Sequence, residues 1–563
     1  MIVIEERKSK ALPNSTSLFF NIEYNKEILS ALEQQEIKYY DKKNKEWELQ
    51  INRLYFLINL LLKIDDVKFV PLKEQKKQKE KTCEGYKFKV KPYQHQIEGI
   101  NYGLNHDGWL LLDEAGLGKS SQIIWLAEYL HYTEKLEHCL IVCGVNSLKY
   151  NWLNEIQKFS KLEGRVLGEY ETKNGKKKIA SLPERCQQLK EGVDTFFIIT
   201  NIETLQSKEF ANNFNKSKMK IDMVVLDEAH HAKNPSSLSA KTLLKLKSKR
   251  NVALTGTVIM NNPEDAYFPL KWTHNLSCTY TMFKHTYNIY GGFGGVQVIG
   301  HKNLELLQSH LKECSLRRLK TEVLDLPPKT YLLDYVEMGT KQQELYDQVK
   351  KGIAEELDKL ENKNLTILQE MTINLRLRQV TASPNILNSD NIPSAKLDRL
   401  EDLLETIIAQ GDKALIFFTF KDTWNDLKIR LKQYNPLVCT GDQTDEEIKK
   451  NKELFENDES KKVMCCTWQK MGTGHTLTAA SYCIFIDTPW TQADFDQASD
   501  RIYRIGQKKP VFIITLITKN TYDERVQEIL DTKNQLGSYL VDNKIVGDGN
   551  IVQQEDYEQL KLF

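Results

Sequence analysis

With 563 residues the chain is too long for one hydrophobic core, and about two to four domains are expected. Apolar residues make up 40% and charged residues 28%, ordinary fractions for a globular protein. Against 78 Lys and Arg stand 77 Asp and Glu. The formal charge of +1 excludes a polycationic coat and confines any nucleic-acid footprint to a local patch.

The N-terminus passes from Met1-Ile2-Val3-Ile4 straight into Glu5-Glu6-Arg7-Lys8, without a signal-peptide core. The richest apolar run, Leu54 to Leu62, is far shorter than a bilayer span and carries Asn59. The expectation is a protein without membrane contact, in the cytoplasm or on the nucleoid, or in a host cytoplasm if its source is viral. Lys-, Asn- and Ile-rich usage fits an AT-rich viral, plasmid or bacterial genome. Ten cysteines are scattered, several (Cys139, Cys143, Cys465, Cys483) inside apolar strand-like runs, and no C-x-x-C spacing occurs. Buried free thiols are expected rather than zinc ligands.

Residues 1–85 read as a small accessory module and linker. Tyr39-Tyr40-Asp41 and Glu46-Trp47-Glu48-Leu49 alternate aromatic and polar residues around a polar turn, the pattern of a hairpin. A helix-like stretch follows from Asn52 to Ile64, and Lys73 to Lys81 is polar without apolar periodicity, a linker or a solvated helix. From about Tyr86 the texture changes. Apolar runs (Trp109–Leu112, Leu140–Val142, Phe196–Ile199, Met223–Leu226, Val252–Leu254) alternate with amphipathic stretches, which predicts a parallel sheet covered on both faces over residues 86–262. The alternation resumes at Ala414–Phe418, Val463–Cys466, Tyr482–Ile486 and Val511–Leu516, a second α/β lobe over 396–537. Between them, residues 263–395 combine a Gly291-to-Gly295 patch with helical periodicity from Lys341 to Val380, and a mostly helical insertion and inter-lobe linker is expected. Residues 538–563 read as a weakly ordered tail.

Three stretches carry chemistry. Asp113, Glu114, Gly116, Leu117, Gly118, Lys119 and Ser120 form a glycine-containing turn at a strand–helix junction, able to aim backbone N–H groups and a helix N-terminus at phosphates. Lys119 would reach the β- and γ-phosphates and Ser120 would offer its hydroxyl to Mg2+. Asp113 stands where the first glycine of a P-loop is usual. Asp227 and Glu228 leave the end of a buried strand. Asp227 suits the Mg2+ shell, and Glu228 can orient or deprotonate an attacking water. Arg501 and Arg504, one helical turn apart, can stabilise charge on a transferred phosphoryl group. In this order the three describe an ATP motor working on nucleic acid.

At this point the chain resembles the Swi/Snf ATPases of helicase superfamily 2, over roughly residues 90–535. Lys91-Pro92-Tyr93-Gln94 looks like the adenine-reading motif, with Gln94 as reader. Leu140 to Cys143 with Ser147-Leu148 and Asn151-Trp152 is similar to motif Ia. Leu254-Thr255-Gly256-Thr257 resembles the motif coupling hydrolysis to movement, and Gln497 is placed with it. Leu316-Arg317-Arg318-Leu319-Lys320 through Leu326-Pro327-Pro328-Lys329 matches the inter-lobe segment, and Ser394-Ala395-Lys396-Leu397 the start of lobe 2. Gly472 to Leu477, Asp487 with Trp490, and Arg501 to Gln507 look like motifs V and VI. Val258 and Gly144 stand where proline is usual, and Met471, His475 and Thr476 also depart from the pattern.

The resemblance implies two tandem RecA-like lobes, ATP and Mg2+ as cofactors, and double-stranded or forked DNA as partner, alone or within a DNA-processing complex. Implied backbone contacts are Ser147 and Lys149, Thr200-Asn201, Arg317-Arg318 and Thr467-Trp468, with lysine clusters at 176–178 and 245–250 extending the patch. Tyr24, Tyr40-Asp41 and Trp47 are similar to the short HARP module of annealing helicases; an unrelated accessory domain is the other reading. The leading expectation is a DNA-dependent ATPase that translocates on duplex or forked DNA and remodels it, with strand annealing as a further activity under the HARP-like reading. A strand-separating DNA or RNA helicase, and a motor subunit or nucleotide-gated clamp of a larger complex, are the alternatives.

Overall fold

The computed structural model describes residues 1–8, 16–23, 25–33, 38–41, 44–50, 54–62, 64–70, 80–145, 148–172, 177–256, 262–276, 278–291, 297–358, 367–387, 391–468, 477–489 and 491–531. Tyr24, Lys73 to Lys79, Ser147, Lys176, Thr257, Val258, Gly292 to Gly295, Met471 to Thr476, Trp490 and the 538–563 tail lie outside the described residues.

The N-terminal module is a five-stranded sheet of β1 (Ile2–Lys8), β2 (Thr16–Phe20), β3 (Lys38–Asp41), β4 (Glu46–Gln50) and β5 (Val67–Val70), in the order β3-β4-β2-β1-β5. The hairpin read from Tyr39 to Leu49 is β3–β4, with Tyr40 opposite Trp47 and their rings 4.9 Å apart. Helices α1 (Lys26–Glu33) and α2 (Leu54–Leu61) supply Ile28, Leu32, Leu57 and Leu61 to a core with Ile4, Leu18, Phe20 and Leu49, every second residue of the strands.

Lobe 1 is built on β6 (Gly108–Leu111), β7 (His138–Cys143), β8 (Gly164–Val166), β11 (Phe197–Asn201), β12 (Ile221–Asp227), β13 (Arg250–Leu254) and β16 (Ser315–Leu316). All seven run parallel in the order β16-β6-β13-β12-β7-β11-β8. A small hairpin of β9 (Glu169–Glu171) and β10 (Lys177–Ile179) stands beside it, and another of β14 (Asn288–Gly291) and β15 (Gln297–His301) follows later in the chain. Continuous apolar strands serve two cores at once: Val224 and Leu226 point to one, Met223 and Val225 to the other. Helix α3 (Gln94–Asn105) leads into the first strand, and crossovers include α4 (Lys119–Glu134), α5 (Leu148–Phe159) and α6 (Leu182–Glu191).

Lobe 2 repeats the plan with β17 (Lys329–Val336), β18 (Ala414–Phe418), β19 (Leu437–Cys439), β20 (Val463–Thr467), β21 (Tyr482–Phe485) and β22 (Val511–Thr518), all parallel in the order β17-β22-β21-β18-β20-β19. Leu415 and Phe417 face one core, Ala414, Ile416 and Phe418 the other. The expected α/β architecture of two parallel-sheet lobes is what the chain adopts.

The segment 263–395 needs a correction. It contains the expected helices, Thr340–Asp358 and Ile367–Ala382, but it is not separate from the lobes. β16 extends the lobe 1 sheet beside β6, and β17 extends the lobe 2 sheet beside β22. Neither could be read from pattern. β16 is two residues long, and β17 is an edge strand whose Tyr331, Leu332, Leu333 and Tyr335 are exposed, so burial leaves no continuous signature. All ten cysteines are buried free thiols, and among the described residues no helix is long and apolar enough to cross a membrane.

Candidate nucleotide and nucleic-acid site

The loop from β6 to α4 leaves the C-terminal edge of the lobe 1 sheet, where β12 and β13 also end, so the first two motifs converge there. Gly116 (φ +94°) and Gly118 (φ +76°) adopt left-handed backbone, and a Cβ on Gly118 would lie 2.5 Å from Gln96 Nε2 and 2.8 Å from Ser121 Oγ. No side chain caps the N-terminus of the 16-residue α4, so its first N–H groups stay available to an anion. Lys119 donates to the Asp113 carbonyl (2.8 Å). Burial lowers its pKa, while Glu228, Asp113 and Asp227 act to keep it charged.

α3 holds this loop from behind. The buried Leu117 carbonyl accepts from His95 Nε2 (3.1 Å) and Gln96 Nε2 (3.4 Å). Gln94, expected to read adenine, is exposed with its amide 3.5 Å from Glu98 Oε1, while Gln96 makes the contact to the loop.

Asp113 and Arg318 correct two expectations with one contact. Asp113, read as part of the phosphate loop, is fully buried, and Arg318 grips it in a fork: Nε to Oδ1 at 3.0 Å and Nη2 to Oδ2 at 2.5 Å. Gln122 Nε2 also donates to Asp113 Oδ2 (3.0 Å), and Arg318 further donates to Gln122 Oε1 and the His95 carbonyl. The departure from glycine is thus the acceptor for an inter-lobe arginine. Arg318, expected on DNA, is buried within lobe 1. Arg317, also expected there, donates to the carbonyls of Leu112 (2.6 Å) and Gly256 (3.1 Å) beside the same loop.

Asp227 ends β12. Its Oδ2 accepts from the Trp152 indole (2.8 Å) and its Oδ1 from the Glu228 N–H (3.0 Å). Burial, followed by the neighbouring Glu228, pushes its pKa up to about 7. Glu228 is a non-glycine residue at φ +50°, a conformation costing about 1–2 kcal/mol that turns its carboxylate into the cleft. His230 Nδ1 lies 3.4 Å from Glu228 Oε2 and 3.2 Å from Thr255 Oγ1, joining the second motif to the coupling segment. Burial pushes the His230 pKa down to about 4, so the ring is neutral at physiological pH. A Cβ on Gly256 would sit 3.9 Å from Lys119 Nζ, which brings that segment to the phosphate loop.

Lobe 2 closes the site. The helix Gln492–Ser499 places Gln497 so that Nε2 donates to Glu228 Oε1 (3.2 Å) across the lobes. Arg504 Nε donates to the Asp500 carbonyl (3.0 Å), and a Cβ on Gly116 would meet the Arg504 stem at 3.2 Å. Arg501 is buried. Burial and the neighbouring Arg504 push its pKa well down, against the pull of Asp500 and Glu228. Sequence reasoning did not assign roles to the lysines that brace this closure. Lys320 Nζ reaches Asp500 Oδ1 (2.7 Å) and the Tyr503 carbonyl (2.8 Å) while its N–H donates to Glu114 Oε2 (2.8 Å), and Lys329 Nζ lies 3.1 Å from Asp500 Oδ1. Burial alone would raise Asp500, but Lys329 and Lys320 hold its pKa down at about 2. Glu155 on α5, beside Ser120, was also missed. Its three-residue spacing from Trp152 was the available signal.

The oxygen donors fit the cofactors that the motifs imply. A hydroxyl (Ser120) and a carboxylate (Asp227) beside an uncapped helix start are the hard ligands that Mg2+ and a triphosphate require. The remaining candidates lie in the first turn of α5 and at the ends of β11 and β20. Lys149 is nearly buried among Arg185, Cys143, Glu203 and Glu169. Thr200 is buried, and Asn201 Oδ1 accepts from Thr204 Oγ1 (2.7 Å) and Arg185 Nη1 (3.3 Å). Thr467 is buried at the end of β20, with Trp468 donating to Thr419 Oγ1 (3.3 Å).

With this geometry in place, comparison gives the class. The SNF2-related domain profile matches residues 30–386, and the helicase conserved C-terminal domain profile matches residues 395–506. The chain belongs to the SNF2-related domain family. An uncharacterized ATP-dependent helicase of Mycoplasma genitalium is 30% identical over 484 residues, covering 83% of this chain and 44% of that protein. The ISWI chromatin-remodeling complex ATPase ISW1 of Saccharomyces cerevisiae is 27% identical over 478 residues, 80% of this chain and 40% of that one. The chain therefore spans less than half the length of these curated relatives. Among solved structures, the Sulfolobus solfataricus SWI2/SNF2 ATPase core in complex with dsDNA is 25% identical, covers 85% of this chain and 99% of that one, and has a TM-score of 0.38.

Proposed function

We propose that the chain is a DNA-dependent ATPase that uses ATP with Mg2+ to translocate along double-stranded DNA. The observation that carries this reading is the meeting of lobe 1 carboxylates with the lobe 2 motif VI segment over the phosphate loop, through Gln497 on Glu228 and Arg504 on Gly116. Lys119 and the N–H groups of α4 bind the phosphates, and Ser120 and Asp227 hold Mg2+. The metal supplies charge neutralisation on the phosphates. Glu228 orients the attacking water and takes its proton, while Arg501 and Arg504 stabilise charge as the terminal phosphoryl leaves. Loss of that phosphoryl removes the negative charge between Lys119 and the two arginines, so the lobes separate once per hydrolysis. Thr255, Gly256 and Gln497 report the state of Glu228 to both lobes.

A phosphate-backbone grip carries little sequence information and falls steeply with salt; of the candidates for it, Lys149, Thr200, Asn201 and Thr467 are buried in this conformation and Trp468 is partly exposed. ATP hydrolysis measured without nucleic acid and with duplex, single-stranded and forked DNA or RNA tests the proposal. Strong stimulation by duplex DNA, lost in Glu228→Gln, is expected. Preference for RNA points to the helicase alternative, and no hydrolysis under any condition points to the clamp. The finer reading, forked DNA with strand annealing, rests on the N-terminal module with its Tyr40–Trp47 pair. Full fork-stimulated activity after deletion of residues 1–85 would sink it.

A further inference from the structure

Helix α5 carries two side chains that the proposed mechanism leaves without a task. Trp152 and Glu155 are three residues apart and share one face. Trp152, 2% exposed, donates its indole N–H to Asp227 Oδ2 at 2.8 Å. Glu155 lies beside Ser120, which together with Arg504 favours its ionised form against the effects of burial and of Asp227. The partners of this one helix face are therefore the two residues expected to hold Mg2+. We propose that Trp152 and Glu155 are positioning residues that pre-orient Asp227 and Ser120 for the metal that accompanies the nucleotide; this rests on the ATP reading above.

The chemistry follows from donor direction. A serine hydroxyl binds a cation through an oxygen lone pair, so its proton has to point elsewhere. The Glu155 carboxylate accepts that proton and turns the lone pairs toward the cleft. Asp227 has one lone pair of Oδ2 tied to Trp152 and one of Oδ1 tied to the Glu228 N–H, which fixes the carboxylate plane and leaves the others for the metal. Both supports come from one rigid helix, so the two ligands are set relative to each other before any metal arrives.

The test is binding of a fluorescent ATP analogue to the intact chain, without DNA, titrated with and without Mg2+. For Trp152→Phe, which replaces the indole by a smaller phenyl ring and loses the N–H, Tm falls through the cavity left in the core, but metal-free binding is kept while the gain in affinity that Mg2+ confers shrinks by about tenfold or more. Glu155→Ala loses the metal-dependent gain likewise, and Glu155→Gln, which retains an acceptor oxygen, restores most of it. Equal weakening with and without Mg2+, or an unchanged Mg2+ effect in both Trp152→Phe and Glu155→Ala, overturns the proposal. Absence of any Mg2+-dependent binding in the unaltered protein overturns the ATP reading itself, and this inference with it.

Discussion

Two pairs of arginines, Arg317-Arg318 and Arg501/Arg504, look equally basic in sequence and live in opposite surroundings. Arg318 is buried against the carboxylate of Asp113, with the Gln122 side chain and the His95 carbonyl taking its other donors. Arg501 and Arg504 are drawn together in the cleft, where burial and mutual repulsion push the Arg501 pKa well down. Arg318 is forked onto a single carboxylate and holds architecture, whereas Arg501 has the like charge of Arg504 as well as the carboxylates of Asp500 and Glu228 in its field, the setting in which the proposed function places a phosphoryl group. The charge next to the guanidinium, not the guanidinium, tells the two apart.

The largest effect that sharpens this contrast is in catalysis. Arg501→Ala or Arg504→Ala lowers kcat of DNA-stimulated hydrolysis by on the order of 10³ while Tm is kept, as measured by steady-state kinetics and thermal unfolding. A drop of Tm without loss of kcat breaks the comparison. Arg318→Ala does the reverse: it strands the buried Asp113 carboxylate and costs about 3–5 kcal/mol, read by denaturant unfolding. The double variant Asp113→Asn with Arg318→Met recovers much of that loss, because no unpaired charge remains.

A third expectation concerns pH. Burial, then the nearby Asp500, pushes Asp496 from an ordinary 3.8 up to about 7. Its protonated form is favoured in the folded state, so stability from this group is present below the unfolded value and lost as pH rises from about 4 through about 7. Asp496→Asn, with the Gln492 donor at 2.9 Å still able to pair, is therefore more stable than the parent by about 1–2 kcal/mol at pH 8 and nearly equal at pH 4. Thermal unfolding at both pH values checks the sign. The smallest effect is at the inter-lobe hydrogen bond. Gln497→Ala lowers the ratio of DNA-stimulated to basal hydrolysis by roughly fivefold, about 1 kcal/mol of coupling, with basal turnover little changed.

The strands and the phosphate loop were legible because their signals are local. Met223 to Leu226 is apolar at every position, which only a strand buried on both faces requires, and Gly116 and Gly118 at the start of a helix announce an anion site. β16 and β17 were not legible, one too short and the other an exposed edge. The neighbours of the site were hidden for another reason. Trp152 and Glu155 lie far in sequence from Asp227, and an aromatic residue on an apolar helix face is more often plain core.

By itself, then, the sequence determined that this chain makes two parallel-sheet lobes and which residues stand at the ends of their strands, because hydrophobic period and turn chemistry act between near neighbours. Only the tertiary structure decided that Asp113 serves Arg318 rather than a phosphate, that Lys320 and Lys329 clasp Asp500, and that Gln497 reaches Glu228. Charge pairing acts through space over a few ångströms, and which distant residues come within that range is set by how the sheets and helices pack.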